Sequence, residues 1–160
     1  MTQTNSDDFN AITRKVYEYA YGIDTRDWAL YRSIFADEIH VDFSSYSGAA
    51  ASSMLADDWV TNVKVLFTGL DATQHSMSNP LVDVSGAKAR CRMYMQAEHF
   101  LITDQGSNDY ALGGYYDDQL ARTADGWKIT AVTLNVLWHR GNRHIMQLAT
   151  EIGAQRLAAE

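Results

Sequence analysis

The chain has 160 residues and a formal net charge of −7, from 20 acidic and 13 basic side chains. This length fits a single domain, and a domain of this size buries roughly 70% of the surface its unfolded chain exposes, enough for a core that contains a pocket. The acidic balance argues against nucleic-acid binding, and the one cysteine, Cys91, excludes an internal disulfide and a cysteine-based zinc site.

The first eight residues are polar and acidic, without the basic and apolar regions of a signal peptide. No stretch approaches the ~18 consecutive apolar residues of a membrane span. We therefore expect a cytoplasmic protein with no membrane partner.

The first part of the chain has the apolar spacing of helices. A first helix is predicted from about Asp8 to Gly22, with Ser6 or Asp7 as its N-cap. A second helix is predicted from about residue 25 to Phe35. A short strand over residues 39–43 follows it.

A third helix is expected next, capped by Ser52 or Ser53, with Leu55 as the first of its buried residues. After Gly69 the pattern changes to the two-residue alternation of β-strands. Turn signals, the strongest of which is Asp125-Gly126, separate four long strands. These strands are predicted up to Val84 and over residues 88–102, 110–122 and 127–138.

This order of elements predicts an α+β fold. The N-terminal helices are expected to pack on a strongly curved antiparallel sheet and form a cone with a pocket between the two layers. We expect one domain over residues 1–160, with a core of about 8–142 and a C-terminal helix of about 143–158.

Strand alternation selects two candidate histidines. In the strand from residue 88, His99 shares a face with apolar side chains that include Met93 and Met95, so an imidazole is expected on an otherwise apolar wall. Thr73, His75 and Met77 share one face of the preceding strand, and polarity alone does not decide which face points inward. A lone histidine is more often a satisfied core or surface residue than a functional one.

Two residues near the end of the first helix are also candidates. Tyr19 lies on the apolar stripe, so its ring should be inside and its hydroxyl then needs a partner. Asp24 falls between the first two helices. Its side chain could cap the second helix, which is a common use of aspartate, or belong to a functional site.

Several segments together resemble one family. They are the spaced set Tyr19, Asp24, Asp27-Trp28, Tyr31, Phe35 and Asp37, then residues 73–79, the His99 strand, residues 126–129, and 136–138 with Gly141-Asn142. This pattern resembles the SnoaL-like branch of the nuclear transport factor 2-like superfamily over about residues 9–142. The resemblance implies the cone fold derived above, a fold that hosts many functions.

The resemblance also implies an activity. Scytalone dehydratase, bile acid 7α-dehydratase and hexachlorocyclohexane dehydrochlorinase belong to this branch and are cofactor-free eliminating lyases with an Asp–His pair in the cone. The matching positions here are Asp24 and His75, with Tyr19 and His99 as further catalytic candidates. The dehydrochlorinase pattern has a basic residue one turn before the aspartate. That position holds Ala20 here, which argues against a halide leaving group.

Elimination requires these residue types. A neutral imidazole, with an unperturbed pKa near ~6.5, can remove a C–H proton, and a carboxylate on its other nitrogen fixes the tautomer. His75 is therefore the expected base and Asp24 its partner. Tyr19 is expected to bind a substrate oxygen, and His99 to protonate the leaving hydroxyl. The expected pocket wall consists of Phe43, Trp59, Thr73, Met77, Met93 and Met95.

The expected reaction is a dehydratase-type elimination on a small hydrophobic, aromatic or polycyclic hydroxylated substrate, without cofactor or metal. A homo-oligomer is expected, a trimer before a dimer. An isomerase, a polyketide-type cyclase and an aldehyde-releasing C–C lyase begin with similar proton abstraction and stay open. So do a structural role like that of the β-subunits of ring-hydroxylating dioxygenases and an iron site of two histidines and one aspartate.

Overall fold

The computed structural model describes residues 5–159. Helices and strands in this range are α1 (Ser6–Asp24), α2 (Trp28–Ser33), β1 (Phe35–Asp42), α3 (Ser44–Ser47), β2 (Ser52–Leu55), α4 (Ala56–Gly69), β3 (Ala72–Ser85), β4 (Lys88–Phe100), β5 (Asp109–Thr123), β6 (Gly126–Gly141) and α5 (His144–Ala158). The predicted α+β organisation is confirmed, with helices packed on one sheet.

The six strands lie in the order β2-β1-β6-β5-β4-β3. The four long strands β3 to β6 form the expected antiparallel meander. The prediction of a wholly antiparallel sheet is wrong, because β1 runs parallel to β6, with His40 opposite Ala131. Parallel neighbours need a long crossover, and the whole segment between β1 and β6 supplies it here.

Helix α1 starts earlier and ends later in the chain than predicted, and covers Ser6–Asp24. Its N-cap is Asn5, whose Oδ1 accepts the Asp7 backbone N–H at 3.1 Å. Gly22 does not stop the helix. A Cβ at that position would lie 2.9 Å from the Tyr31 Cβ, so the glycine allows α2 to approach closely. The helix therefore continues to Asp24, which becomes its last residue.

The second helix is shorter than predicted and is capped by a different residue. Asp27 Oδ1 accepts the Leu30 backbone N–H at 2.9 Å, so Asp27 and not Asp24 is the N-cap of α2. Phe35 is the first residue of β1 and lies opposite Ile129 of β6. Phe35 is buried because it belongs to the sheet. Its spacing from the preceding apolar residues is that of a helix, and for this reason the sequence predicted it to be helical.

The segment before α4 also differs from the prediction. Ser52 and Ser53 lie in β2 opposite β1 and cap no helix, and Leu55 is the last residue of that strand. Helix α4 begins at Ala56 without a side-chain cap, and its first turn carries Asp57 and Asp58, which favour a helix N-terminus. The short helix α3 was not predicted.

Helix α5 packs on α4 at two glycines. A Cβ at Gly69 would lie 1.7 Å from the Ala149 carbonyl oxygen, and one at Gly153 would lie 1.8 Å from the Val65 carbonyl oxygen. The two backbones therefore touch only because both positions lack a side chain. This contact fixes α5, which carries Met146 into the wall of the internal cavity.

Candidate active site

Asp24 and His75 form a two-point contact between the end of α1 and the start of β3. Asp24 Oδ1 accepts the His75 Nδ1–H at 2.7 Å, and Asp24 Oδ2 accepts the His75 backbone N–H at 2.6 Å. The His75 side chain is 4% exposed and that of Asp24 is 19% exposed. Because Nδ1 carries the proton that faces the carboxylate, the free lone pair of the neutral ring is on Nε2.

His99 lies across from Thr73 in the β3–β4 register, with its ring centre 5.9 Å from that of His75. Its Nδ1–H donates to the Tyr110 carbonyl oxygen at 3.1 Å. The pKa of His99 is lowered to about 4, mainly by burial and secondly by the neighbouring His75. His99 is therefore neutral at pH 7, and its Nε2 is an acceptor without a proton to give.

Both histidines line an internal cavity of about 240 Å³ between the helices and the sheet. Its wall is mostly apolar and aromatic. It includes three of the predicted wall residues, Phe43, Trp59 and Met95, together with Tyr19. The Phe43 and Trp59 rings meet edge to face, with their centres 5.2 Å apart. The Phe67 ring centre lies 5.8 Å from that of His75 and 5.9 Å from that of His99.

The other predicted wall residues lie elsewhere. Thr73 and Met77 line a wider, open groove of about 760 Å³ that also reaches Asp24 and both histidines. Met93 is buried on the same face of β4 as His99 but borders a separate groove beside Tyr94. Six residues along a strand separate Met93 from His99 by roughly 20 Å, which explains why a shared face did not mean a shared pocket.

Tyr19 belongs to a cluster of three buried tyrosines. Its ring centre lies 5.1 Å from that of Tyr31 and 5.2 Å from that of Tyr116, and its hydroxyl hydrogen-bonds with both of theirs. The Trp59 Nε1–H donates to the Tyr31 hydroxyl at 3.0 Å. Burial raises the pKa of Tyr19 well above its usual value, and the Tyr31 hydroxyl raises it further. The cluster therefore presents protonated phenols beside the cavity.

Sequence reasoning missed two of these three tyrosines as site residues. Tyr31 belongs to the predicted second helix and to the family pattern but not to the predicted site residues. Tyr116 shares the inner face of β5 with Leu112 and Leu120. This two-residue alternation in the sequence could have predicted that its hydroxyl points into the protein.

Within residues 5–159, no three His, Cys, Asp or Glu side chains are grouped so that they could hold a metal ion. No helix in the same range is long and apolar enough to cross a membrane.

Comparison with known proteins agrees with this fold. The sequence profile of the SnoaL-like domain matches residues 4–133, and the chain belongs to that family. It is similar to a dehydratase from Pestalotiopsis microspora, with 26% identity over 88% of this chain and 94% of that protein. It is also similar to scytalone dehydratase from Colletotrichum orbiculare, with 23% identity over 82% of this chain and 74% of that protein.

Solved structures carry the same fold. A protein of Kribbella flavida superposes with a TM-score of 0.84 and 26% identity, covering 88% of this chain and 97% of that one. A hexachlorocyclohexane dehydrochlorinase from Novosphingobium barchaimii superposes with a TM-score of 0.68 and 18% identity, covering 84% and 89%. The neighbours imply the cone fold of the nuclear transport factor 2-like proteins, and the dehydratases are distant homologues of this chain.

Proposed function

We propose that this protein is a lyase that catalyses a dehydratase-type elimination in the internal cavity. The observation that carries the proposal is the Asp24–His75 pair, in which both carboxylate oxygens hold one imidazole beside an apolar wall. Membership in the SnoaL-like family and similarity to two proteins named as dehydratases support the same reaction class.

The first step is removal of a proton from the carbon next to a substrate carbonyl. His75 Nε2 accepts this proton, the electron pair of the broken C–H bond forms the C=C bond of an enolate, and the carbonyl π pair moves onto the oxygen. Asp24 holds the Nδ1 tautomer and stabilises the imidazolium that forms. The surrounding apolar side chains exclude water and strengthen this interaction.

Tyr19 is the proposed donor to the enolate oxygen. It lines the cavity, and its phenol stays protonated because burial raises its pKa. A hydroxyl that is already oriented by two neighbouring phenols can stabilise developing negative charge without reorganising. The substrate should therefore carry a carbonyl group whose oxygen reaches Tyr19 while the neighbouring carbon reaches His75.

The second step expels the hydroxyl group on the β carbon. The enolate electrons form the C=C bond as the C–O bond breaks, and His75 returns its proton so that the hydroxyl leaves as water. His99 cannot supply this proton, since its Nε2 is unprotonated. We propose instead that His99 Nε2 accepts a hydrogen bond from the substrate hydroxyl and so orients the leaving group.

The cavity limits the substrate to a small molecule. A volume of about 240 Å³ is at the small end for ligand pockets and fits a one- or two-ring compound better than a large polycycle. Its aromatic wall favours a flat hydrophobic ring system. No step requires a cofactor, and Ala20 offers no charge to a halide leaving group.

The outer face of the sheet supports the proposal of a homo-oligomer, and the preference for a trimer over a dimer comes from the family resemblance alone. Three large apolar side chains on β3, β4 and β6 are mostly exposed: Leu81 (61%), Tyr94 (53%) and Leu137 (64%). Contiguous exposed apolar surface of this kind is typical of interfaces. Light scattering should give the mass of an assembly, and a monomeric mass would contradict this part of the proposal.

Turnover of a substrate panel tests the proposed reaction. The panel consists of one- and two-ring β-hydroxy ketones. Its first compound is scytalone, which is the substrate in the name of one relative. The expected product is the conjugated ketone formed with loss of one water. A product of unchanged mass would instead indicate an isomerase or cyclase, and release of an aldehyde would indicate C–C cleavage. Either result would overturn the elimination.

A further inference from the structure

Asp118 is a buried carboxyl group with no role in the mechanism above. It lies on β5 opposite Cys91, faces inward and is 1% exposed. One of its oxygens accepts the Thr133 backbone N–H. The other, Oδ1, has no hydrogen-bond partner within residues 5–159. Leaving a buried polar atom without a hydrogen-bond partner is unfavourable, so this position needs an explanation.

Within the described chain no cation pairs with Asp118. The adjacent Asp117 lies on the opposite face of β5 and takes both contacts from Arg90. Arg92 and Arg122 are engaged by other carboxylates, Asp83 and Asp8. A negative charge on Asp118 would therefore be uncompensated, and burial, followed by the Asp117 charge, raises its pKa well above the usual value.

The groups that face Asp118 include the tyrosine cluster. Cys91 lies opposite it on β4, Thr133 on β6 donates its backbone N–H to it, and Tyr116 is buried two residues before it on the same face of β5. The Tyr19 ring centre lies 5.2 Å from that of Tyr116 and 5.1 Å from that of Tyr31, so the cluster continues from Tyr116. A charge on Asp118 acts on all three phenols and raises their pKa. The site thus couples a buried acid to the hydroxyls that line the cavity.

We propose that Asp118 is a neutral carboxylic acid in the resting protein and a positioning residue whose neutrality lets Tyr19 and Tyr116 stabilise an oxyanion in the cavity. The catalytic half of this inference rests on the proposed function. An enolate forming beside the phenols is itself negative, and a second negative charge behind them raises its energy. Ionisation of Asp118 should therefore lower kcat roughly tenfold or more.

Infrared spectroscopy tests the protonation without any substrate. The wild-type protein at pH 7 should have a carboxylic-acid carbonyl band that disappears in Asp118→Asn. The matched control is Asp117→Asn, which removes the neighbouring carboxylate on the other strand face and should keep the band. Absence of the band from the wild-type protein would overturn the inference, even if the variant fails to fold.

The pH dependence of unfolding gives a second readout. Because the folded pKa of Asp118 is raised, its contribution is fully present below the unfolded value of 3.8 and is lost as pH rises through the folded pKa. Asp118→Asn should remove this loss of stability with rising pH, whereas Asp117→Asn should keep it. Parallel curves for the wild-type protein and Asp118→Asn would overturn the inference.

The pH profile of kcat separates a positioning role from a structural one. The fall in kcat from neutral to alkaline pH should be smaller in Asp118→Asn than in the wild-type protein or Asp117→Asn, by roughly tenfold or more. An identical fall would overturn the positioning role. If no elimination substrate is found, the proposed function fails, while the infrared and unfolding measurements still decide whether Asp118 is neutral.

Discussion

Asp24 binds both the ring and the backbone of His75, although 51 positions separate the two residues in the chain. The 2.6 Å contact to the backbone N–H ties the carboxylate to strand β3, and the 2.7 Å contact to Nδ1 then fixes the imidazole relative to that strand. One carboxylate thus positions the proposed base twice, at the junction of helix α1 and the sheet. This arrangement supplies the orientation that general-base catalysis requires.

Asp24→Asn should abolish turnover while the fold survives. The amide oxygen can still accept the His75 backbone N–H, but its NH₂ group then faces Nδ1 and favours the tautomer with a proton on Nε2. His75→Ala removes the base itself. Each change should lower kcat roughly 10³- to 10⁴-fold, as measured by steady-state kinetics with circular dichroism as the fold check.

The control for these variants is His40→Ala. His40 is exposed, its ring hydrogen-bonds with Ser53 on the neighbouring strand, and it does not line the internal cavity, so this variant should keep the wild-type rate. A dyad variant that retains turnover within tenfold of the wild-type protein would contradict the mechanism.

Tyr19→Phe should lower kcat more than it changes KM, because the hydroxyl is proposed to act on charge that develops in the transition state. Removing one such donor typically costs roughly 10²- to 10³-fold. Tyr17→Phe and Tyr21→Phe are matched controls on the same helix, since their side chains are exposed by 44% and 64%. Equal effects of all three substitutions would refute the assignment.

His99 should make unfolding depend on pH in the acidic range. The folded pKa of about 4 lies below the unfolded value of 6.5, so its contribution is present above 6.5 and is lost as pH falls toward 4. The loss is roughly 3 kcal/mol for this buried ring. The contribution of Asp118 to the free energy of unfolding changes with pH in the opposite direction over this range. The pH dependence of wild-type stability alone therefore does not isolate His99.

The comparison that isolates His99 is the stability difference between His99→Gln and the wild-type protein, measured by urea denaturation. This difference should shift in favour of the variant as pH falls from 6.5 to 4. His139→Gln, at an exposed histidine on β6, should show no such shift. A pH-independent difference for His99→Gln would be incompatible with a neutral buried ring.

Gly153→Ala tests the contact between α4 and α5 by the sign of its effect. Helix propensity alone predicts stabilisation by up to about 1 kcal/mol. The added Cβ would lie 1.8 Å from the Val65 carbonyl oxygen, a backbone atom, so we expect destabilisation of about 1–3 kcal/mol instead. Ala154→Gly, at the exposed next position, should destabilise the protein only by the difference in helix propensity between alanine and glycine. A higher Tm for Gly153→Ala would refute the close packing.

Local patterns in the sequence predicted the meander and the placement of His99. Turn residues and strict alternation act over a few residues, so β3 to β6 and the apolar face of β4 could be read directly. The Asp24–His75 contact is different, because nothing local distinguishes a carboxylate that binds a distant strand from one that caps the next helix. The family resemblance, and not periodicity, connected these two residues.

The features that sequence reasoning missed depend on tertiary contacts. Phe35 has helical spacing but is buried by pairing with β6, and Ser52 could cap a helix yet pairs with β1. The tyrosine cluster joins α1, α2 and β5, so no single periodic segment contains it. At each of these positions tertiary packing, and not the local propensity of the residue, determines the structure.

The most direct test of the central claim is exchange of the α-carbon protons of 1-tetralone in D₂O. This two-ring aromatic ketone lacks a leaving hydroxyl, so exchange reports proton removal by His75 without the later step. NMR should show that the wild-type protein accelerates exchange, that His75→Ala and Asp24→Asn reduce it to the background rate, and that His40→Ala retains it. Exchange by His75→Ala at the wild-type rate would contradict the Asp24–His75 mechanism. So would the absence of exchange in wild-type protein whose tryptophan fluorescence shows that the ketone is bound.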